Sequence, residues 1–186
     1  MNTLTHTSPN SSTGNPGVGE PVSPGRSAQP YFAEQPEAWW YGDGLWEFHV
    51  PAEATNGHVS VFTATMREGF SPPRHIHTRE DEVFLVLQGE VWFDLDGKKT
   101  LAGPGASVYM PRGVPHTFRV KSPVAKMLGI MTPGVFEELF RNLGTVARER
   151  ALPVPGTNPL NIPVVMAEQT RLGTQVVGPP MAAGTD

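Results

Sequence analysis

Hydrophobic and polar positions divide the chain into stretches of different character. Residues 1–30 are dominated by Ser, Thr, Asn, Pro and Gly, with almost no apolar anchors. Such a segment buries too little to offset its ordering entropy, so a disordered tail is expected there. Order is expected from Tyr31, because YFAEQPEAWWYGDGLWEFHV abruptly supplies seven aromatic residues. From Tyr31 to Thr132 the pattern is one of short apolar runs: LWEFHV, HVSVFTATM, EVFLVLQGEVWFDL, SVYM, HTFRV and AKMLGIM. Pro and Gly clusters separate them (GFSPP, AGPGA, PRGVP), and Asp96-Gly97 marks a tight turn. Short strands at this spacing predict an all-β sandwich or barrel over 31–132 rather than a parallel α/β sheet.

Residues 133–186 read differently. Between Gly134 and Gly144 the residues Phe136, Leu139, Phe140 and Leu143 fall on one stripe at helical spacing. That stripe is read as core packing, a helix lying on the barrel, rather than as a ligand box. A Pro-rich connection follows Pro153, then a short helix around Val164–Gln169, and the terminal GPPMAAGTD reads as loose.

Length and charge narrow the function. A chain of 186 residues suits one domain with irregular extensions. Its net charge of −4 and isoelectric point of about 5.9 offer no basic surface for nucleic acid or an anionic membrane. No apolar run is long enough to span a bilayer, and MNTLTHTSPNSSTGNPG has neither a basic start nor an apolar leader core, so a cytoplasmic protein is expected. With no cysteine in the chain, disulfides and thiolate ligands are excluded. Any metal here is held by nitrogen and oxygen.

The chemistry concentrates in RHIHTREDE, residues 74–82. On an extended strand, side chains at i and i+2 share a face, so His75 and His77 project together, and Pro72-Pro73 favours extended backbone before them. Two imidazoles aimed at one point can chelate a divalent cation; alone, such a pair reads first as two solvated surface histidines. Glu82 raises the metal reading. It opens the EVFLVLQ run, where alternation places it on the face of Phe84 and Val86, and a carboxylate buried there needs a counter-charge. Glu80 and Asp81 compete for the same role, although both read first as solvated charges. His116, after the turn in PRGVPHTF, shares its face with Phe118 and Val120. His49 and His58 lack comparable company, and His6 lies in the tail. Three imidazoles and one carboxylate suit Fe, Ni, Co, Mn or Zn rather than Ca or Mg.

The spacing resembles a known family. Gly69, His75, His77, Glu82 and Gly89 reproduce the first cupin motif, G-x5-H-x-H-x4-E-x6-G. Gly105, Pro111, Gly113 and His116 match most of the second, G-x5-P-x-G-x2-H-x3-N, whose final Asn is Val120 here. That position is not a metal ligand, so the departure leaves the ligand set intact. The resemblance implies a single jelly-roll-type β-barrel in which His75, His77, Glu82 and His116 meet at one divalent transition metal. Within the family, the stretches HIHTREDEVFLVLQGEVWF and GHVSVFTATMREGFSPPRHIH and the tail VVGPP look like single-domain bacterial cupins related to quercetin 2,3-dioxygenase. That likeness covers about Tyr31 to Pro180. It implies a homodimeric dioxygenase using nickel, cobalt, manganese or iron, which opens a small aromatic flavonol with dioxygen and releases carbon monoxide. Glu82 would then take the proton of the flavonol hydroxyl, and Phe84, Phe118 and Met131 would line an apolar pocket. A non-redox metal cupin (an isomerase, cyclase or decarboxylase) would use the same ligands, and a storage cupin would have no need of them.

Overall fold

A computed structural model of the protein describes residues 30–184. The disordered tail expected over residues 1–30 therefore lies outside the described residues but for Pro30. The chain runs through β1 (Glu37–Tyr41), β2 (Gly44–Val50), β3 (Ser60–Arg67), β4 (Pro73–His77), β5 (Asp81–Gln88) and β6 (Val91–Leu95). It continues with β7 (Lys98–Ala102), β8 (Ser107–Met110), β9 (His116–Val120), β10 (Val124–Thr132) and α1 (Glu138–Leu143). Last come β11 (Thr145–Val146), α2 (Ile162–Arg171) and β12 (Thr174–Pro180).

All pairings are antiparallel. A seven-stranded sheet has the order β11-β1-β2-β3-β10-β5-β8, and a five-stranded sheet the order β12-β4-β9-β6-β7. Period-2 patterning explains why they face one another. Along β5, Glu82, Phe84 and Val86 are buried while Asp81, Val83 and Leu85 are only half so; β10 buries Ala125, Met127, Gly129 and Met131 in the same alternation. Between the sheets, Phe84 of β5 meets Phe118 of β9 at 5.8 Å and Phe93 of β6 at 6.3 Å between ring centroids. Phe48, Phe62 and Phe140 continue this aromatic core. The result is the all-β, jelly-roll-type barrel that the sequence predicts.

Two motif glycines show why the spacing is kept. Gly89, between β5 and β6, has φ of 81°, and a Cβ there would lie 2.3 Å from the Val124 carbonyl oxygen. Gly113 turns the chain just before His116 with φ of 80°, a conformation an L side chain adopts only with strain. The Asp96-Gly97 turn has the left-handed pair (φ 50° and 87°) of a two-residue hairpin, but the strand it leads into, β7, was not readable. KKTLA has no apolar alternation, and its first three residues are exposed.

The C-terminal extension takes part in both sheets. The helix expected over Gly134–Gly144 starts as a 3-10 turn, Gly134–Glu137, and becomes α-helical only at Glu138. The one expected near Val164–Gln169 is longer, with Pro163 in its first turn, where the missing N–H costs nothing. The segment GPPMAAGTD is not loose throughout: β12 runs to Pro180 against β4, and Met181 is buried. The pairing shifts register around Gly178 and Pro180, as fits prolines on an edge strand.

Candidate metal centre and apolar cavity

Strand register brings the candidate ligands together. β4 pairs with β9 through His75 opposite His116, and with β12 through Thr174 opposite His77. Glu82 enters from the other sheet, where it stands opposite Met131 on β10 and Met110 on β8. The turn between β4 and β5 is pinned: Thr78 donates from its N–H and its hydroxyl to the Gly173 carbonyl, and the Gly113 N–H donates to the His77 carbonyl. Arg112 forks onto Asp81 at the outer side of this turn.

The hydrogen bonds decide which ring nitrogens face inward. Nδ1 of His75 lies 2.7 Å from the Pro73 carbonyl oxygen, and Nδ1 of His116 lies 2.9 Å from that of Val114. A carbonyl only accepts, so each Nδ1 carries the proton and each Nε2 presents a lone pair. His77 follows the same rule less tightly, its Nδ1 lying 3.3 Å from Thr174 Oγ1 and 3.7 Å from Glu80 Oε2. Inside the cluster, His75 Nε2 and His77 Nε2 stand 3.2 Å apart. Glu82 Oε2 lies 3.6 Å from His116 Nε2 and 4.0 Å from His77 Nε2. His116 Nε2 is buried without a hydrogen-bond partner.

Acceptors converging in a buried space repel one another unless a cation lies among them. Ligand atoms about 2.1 Å from a common ion stand roughly 3.0–3.5 Å apart at octahedral to tetrahedral angles; the His75–His77 pair has that spacing at 3.2 Å, and Glu82 lies slightly outside it at 3.6 and 4.0 Å. The arrangement fits a divalent metal site made by His75, His77 and His116, whose ligand atoms all lie within 4.8 Å of one another. Glu82 sits where it can complete the set. Of the remaining histidines, His49 lies on the outer face of its sheet beside Thr63 (3.1 Å) and takes no part.

Electrostatics agree with this picture. His75 is pushed down to about 3, first by burial and then by His77 and His116, so it is neutral and able to bind a metal. Burial drives the Glu82 carboxyl up, but its contact with His116 and the fields of the imidazoles outweigh that and leave it below its ordinary value. It is therefore a carboxylate near neutral pH.

One carboxylate departs from the sequence reading. Glu80 is not a solvated charge: it is fully buried, with neither oxygen hydrogen-bonded and His77 Nδ1 as its ion-pair neighbour. Its burial is not revealed by local spacing, which gives Glu80 and Asp81 the same polar, turn-like surroundings. A carboxylate behind a metal-binding histidine fixes the tautomer and raises ligand basicity. Asp81 reads as expected, partly exposed and paired with Arg112.

The cluster opens onto a cavity of about 460 Å³ whose walls are almost entirely apolar. Phe84, Phe118 and Met131 line it, as do Phe62 and Trp46 from the seven-stranded sheet. The Phe136, Leu139 and Phe140 stripe does more than pack the core, since all three also face this space, and Phe136 stands 4.5 Å from the His77 ring. α2 closes one side through Ile162, Val165, Met166 and Gln169. Tyr41 is the phenol in the wall, and burial raises it to about 12, so it stays protonated.

The chain is similar to known proteins. Residues 62–131, which span all four candidate ligands, match the family described as the cupin domain. Quercetin 2,3-dioxygenase from Bacillus subtilis (strain 168) is 31% identical over 119 residues, which cover 63% of this chain and 35% of that protein. Quercetin 2,3-dioxygenase from Aspergillus japonicus is 36% identical over 81 residues, 40% of this chain and 23% of that protein. The match thus spans about a third or less of these relatives' own length. Among solved structures, an RmlC-like cupin from Shewanella frigidimarina superposes with a TM-score of 0.50 at 20% identity, over 56% of this chain and 92% of that one. That last likeness concerns the fold alone.

Proposed function

We propose, on the premise that this chain belongs to the cupin superfamily and is quercetinase-like at modest identity, that it is a metal-dependent dioxygenase opening a flavonol-like enolic or phenolic aromatic with dioxygen. The observation that carries this reading is the convergence of His75, His77, His116 and Glu82 at the edge of an apolar cavity of about 460 Å³. A cavity of that size and character suits a flat, mostly apolar ligand.

His75, His77 and His116, with Glu82, would hold one divalent ion, taken here as nickel, cobalt, manganese or iron. Such an ion supplies Lewis acidity and, with three neutral imidazoles and one carboxylate around it, a residual positive charge that favours an anionic substrate oxygen. The protein's own residues do the rest. Glu82 accepts the proton of the enolic hydroxyl at its carboxylate; its position beside the imidazoles keeps it ionised until the substrate arrives. Phe84, Phe118 and Phe136 hold the ring system and exclude water from the reacting face. Thr174 Oγ1 at 3.3 Å from His77 Nδ1, with the Glu80 carboxyl 3.7 Å away on the same side, would favour the tautomer that leaves Nε2 turned inward. A homodimeric assembly belongs to the same reading.

The test is oxygen uptake and carbon monoxide release by metal-loaded protein given a flavonol. Glu82→Gln keeps the shape and a carbonyl oxygen but cannot take the proton as a carboxylate does. Turnover corrected for metal occupancy should fall about 10²–10⁴-fold. Equal turnover of the true substrate with and without oxygen would remove the dioxygenase reading and leave a non-redox metal cupin in its place.

A further inference from the structure

Gln169 is out of place in the cavity wall. It lies on the inward face of α2, four residues after Val165 and three before Leu172, both buried. Its neighbours in the cavity are Ile162, Val165 and Met166, all apolar. The residue is 6% exposed, and its Oε1 is buried with no hydrogen-bond partner. A buried amide left unsatisfied is destabilising, whereas an apolar side chain of the same size would pack there without that cost. The folded protein alone gives no reason for glutamine here.

The position is also held firmly. Glu168, next in the helix, is fixed on the outer side by Asn142 (2.7 Å) and Arg171 (2.7 Å), and Arg171 reaches Glu138 at 2.6 Å. α2 then passes through Gly173 into β12, whose Thr174 lies 3.3 Å from His77 Nδ1. Gln169 is thus tied by a short, ordered stretch of chain to the metal-site histidine. A polar group buried in an apolar wall and fixed relative to the reacting centre is how a site selects a ligand's orientation.

We propose that Gln169 is a specificity-determining residue whose amide hydrogen-bonds an accessory hydroxyl of the substrate, so that the site prefers a polyhydroxylated aromatic to the same ring system without that group. A hydroxyl both donates and accepts, so it satisfies Oε1 or Nε2 whichever meets it. The inference rests on the flavonol reading above. It adds that hydroxyls other than the reacting one are recognised, and that the C-terminal helix recognises them.

Two probes separate the ideas: quercetin, and 3-hydroxyflavone, which carries the reacting hydroxyl and no other. Binding to metal-loaded full-length protein is measured without oxygen, by quenching of tryptophan fluorescence, so that no turnover intervenes. Wild type should bind quercetin more tightly than 3-hydroxyflavone. Gln169→Leu should weaken quercetin on the order of tenfold, the scale of one neutral hydrogen bond, and leave 3-hydroxyflavone unchanged or tighter. Gln169→Met, closest in shape, should behave likewise and covers the case in which leucine packs poorly. Melting temperatures without metal should be equal to or above wild type in both variants, since each removes an unsatisfied amide. An equal change for both probes, or none for either, would overturn the role of Gln169 while leaving the flavonol reading in place. Failure of wild type to bind either probe would overturn that reading, and this inference with it.

Discussion

Lowering the pH from 7 to 5 should destabilise the metal-free protein chiefly through His75. Its imidazole is 7% exposed and held at about 3, against about 6.5 in an unfolded chain. The unfolded state therefore binds more protons across the window between those values, so stability rises with pH through it and is lost on acidification. The limiting slope is about 1.4 kcal/mol per pH unit, and integration from pH 7 to 5 gives a loss of about 2 kcal/mol. In a chain of 186 residues that corresponds to a fall of roughly 4–8 °C in Tm. Glu82 does not confuse the measurement. Its carboxyl lies below the ordinary value, so its contribution is present above that value and lost only as the pH falls through its lowered one, outside this window. His49, lowered by partial burial, acts in the same direction as His75 but equally in any variant that retains it. The assay is thermal unfolding in the presence of a chelator at both pH values, for wild type and for His75→Asn. Asparagine can still donate to the Pro73 carbonyl but does not titrate. The variant should lose several degrees less than wild type between pH 7 and 5. Equal losses in the two proteins would show that His75 is not the group that senses acid, and would refute the buried, neutral imidazole on which the metal site depends.

Two further outcomes are expected. Glu80→Gln should lower metal affinity about 10–100-fold in a chelator competition while the metal-free protein stays folded, because it removes the carboxylate behind His77; unchanged affinity would reduce Glu80 to a buried charge with no bearing on the metal. Gly129→Ala should destabilise by about 1–3 kcal/mol in urea unfolding, since the new Cβ falls 2.3 Å from the Phe62 ring, itself locked among Phe48, Phe84 and Phe140. Combining it with Phe62→Leu should return part of that loss, and strictly additive effects would mean that the ring is not what the methyl meets.

What could be read in the sequence depended on how local the determining contacts are. β5 declared itself because each of its inward residues, Glu82, Phe84 and Val86, alternates with a less buried one. His75 and His77 were legible for the same reason, since an i, i+2 pair on a strand shares a face whatever the rest of the chain does. The far wall of the site obeys no such rule. Thr174 pairs with His77 across 97 residues, and the burial of Glu80 follows from the turn that this pairing helps to hold. Viewed alone, RHIHTREDE offers three adjacent acidic residues, and nothing in it separates Glu80, buried without a hydrogen bond, from the paired, partly exposed Asp81.

The C-terminal helix left one signal that local reasoning could have used. Ile162, Val165, Met166 and Gln169 fall at i, i+3, i+4 and i+7, the spacing of one helix face; Ile162 and Met166 lie at its exposed rim, and the two buried positions are held by Val165 and, where an apolar residue is expected, by glutamine. A single polar residue on such a stripe is either an error of pattern or a place where something polar arrives. Its neighbours decide between these. Thr170 donates its hydroxyl back to the Met166 carbonyl, and the Glu168 carboxylate, held by Asn142 and Arg171, has no proton to donate, so neither satisfies the amide oxygen beside it. A polar side chain that is buried in the cavity wall with its oxygen unpartnered points to selection by the ligand rather than by the fold. That is why the residue hardest to justify from folding, Gln169, is the one to mutate first when asking what the cavity admits.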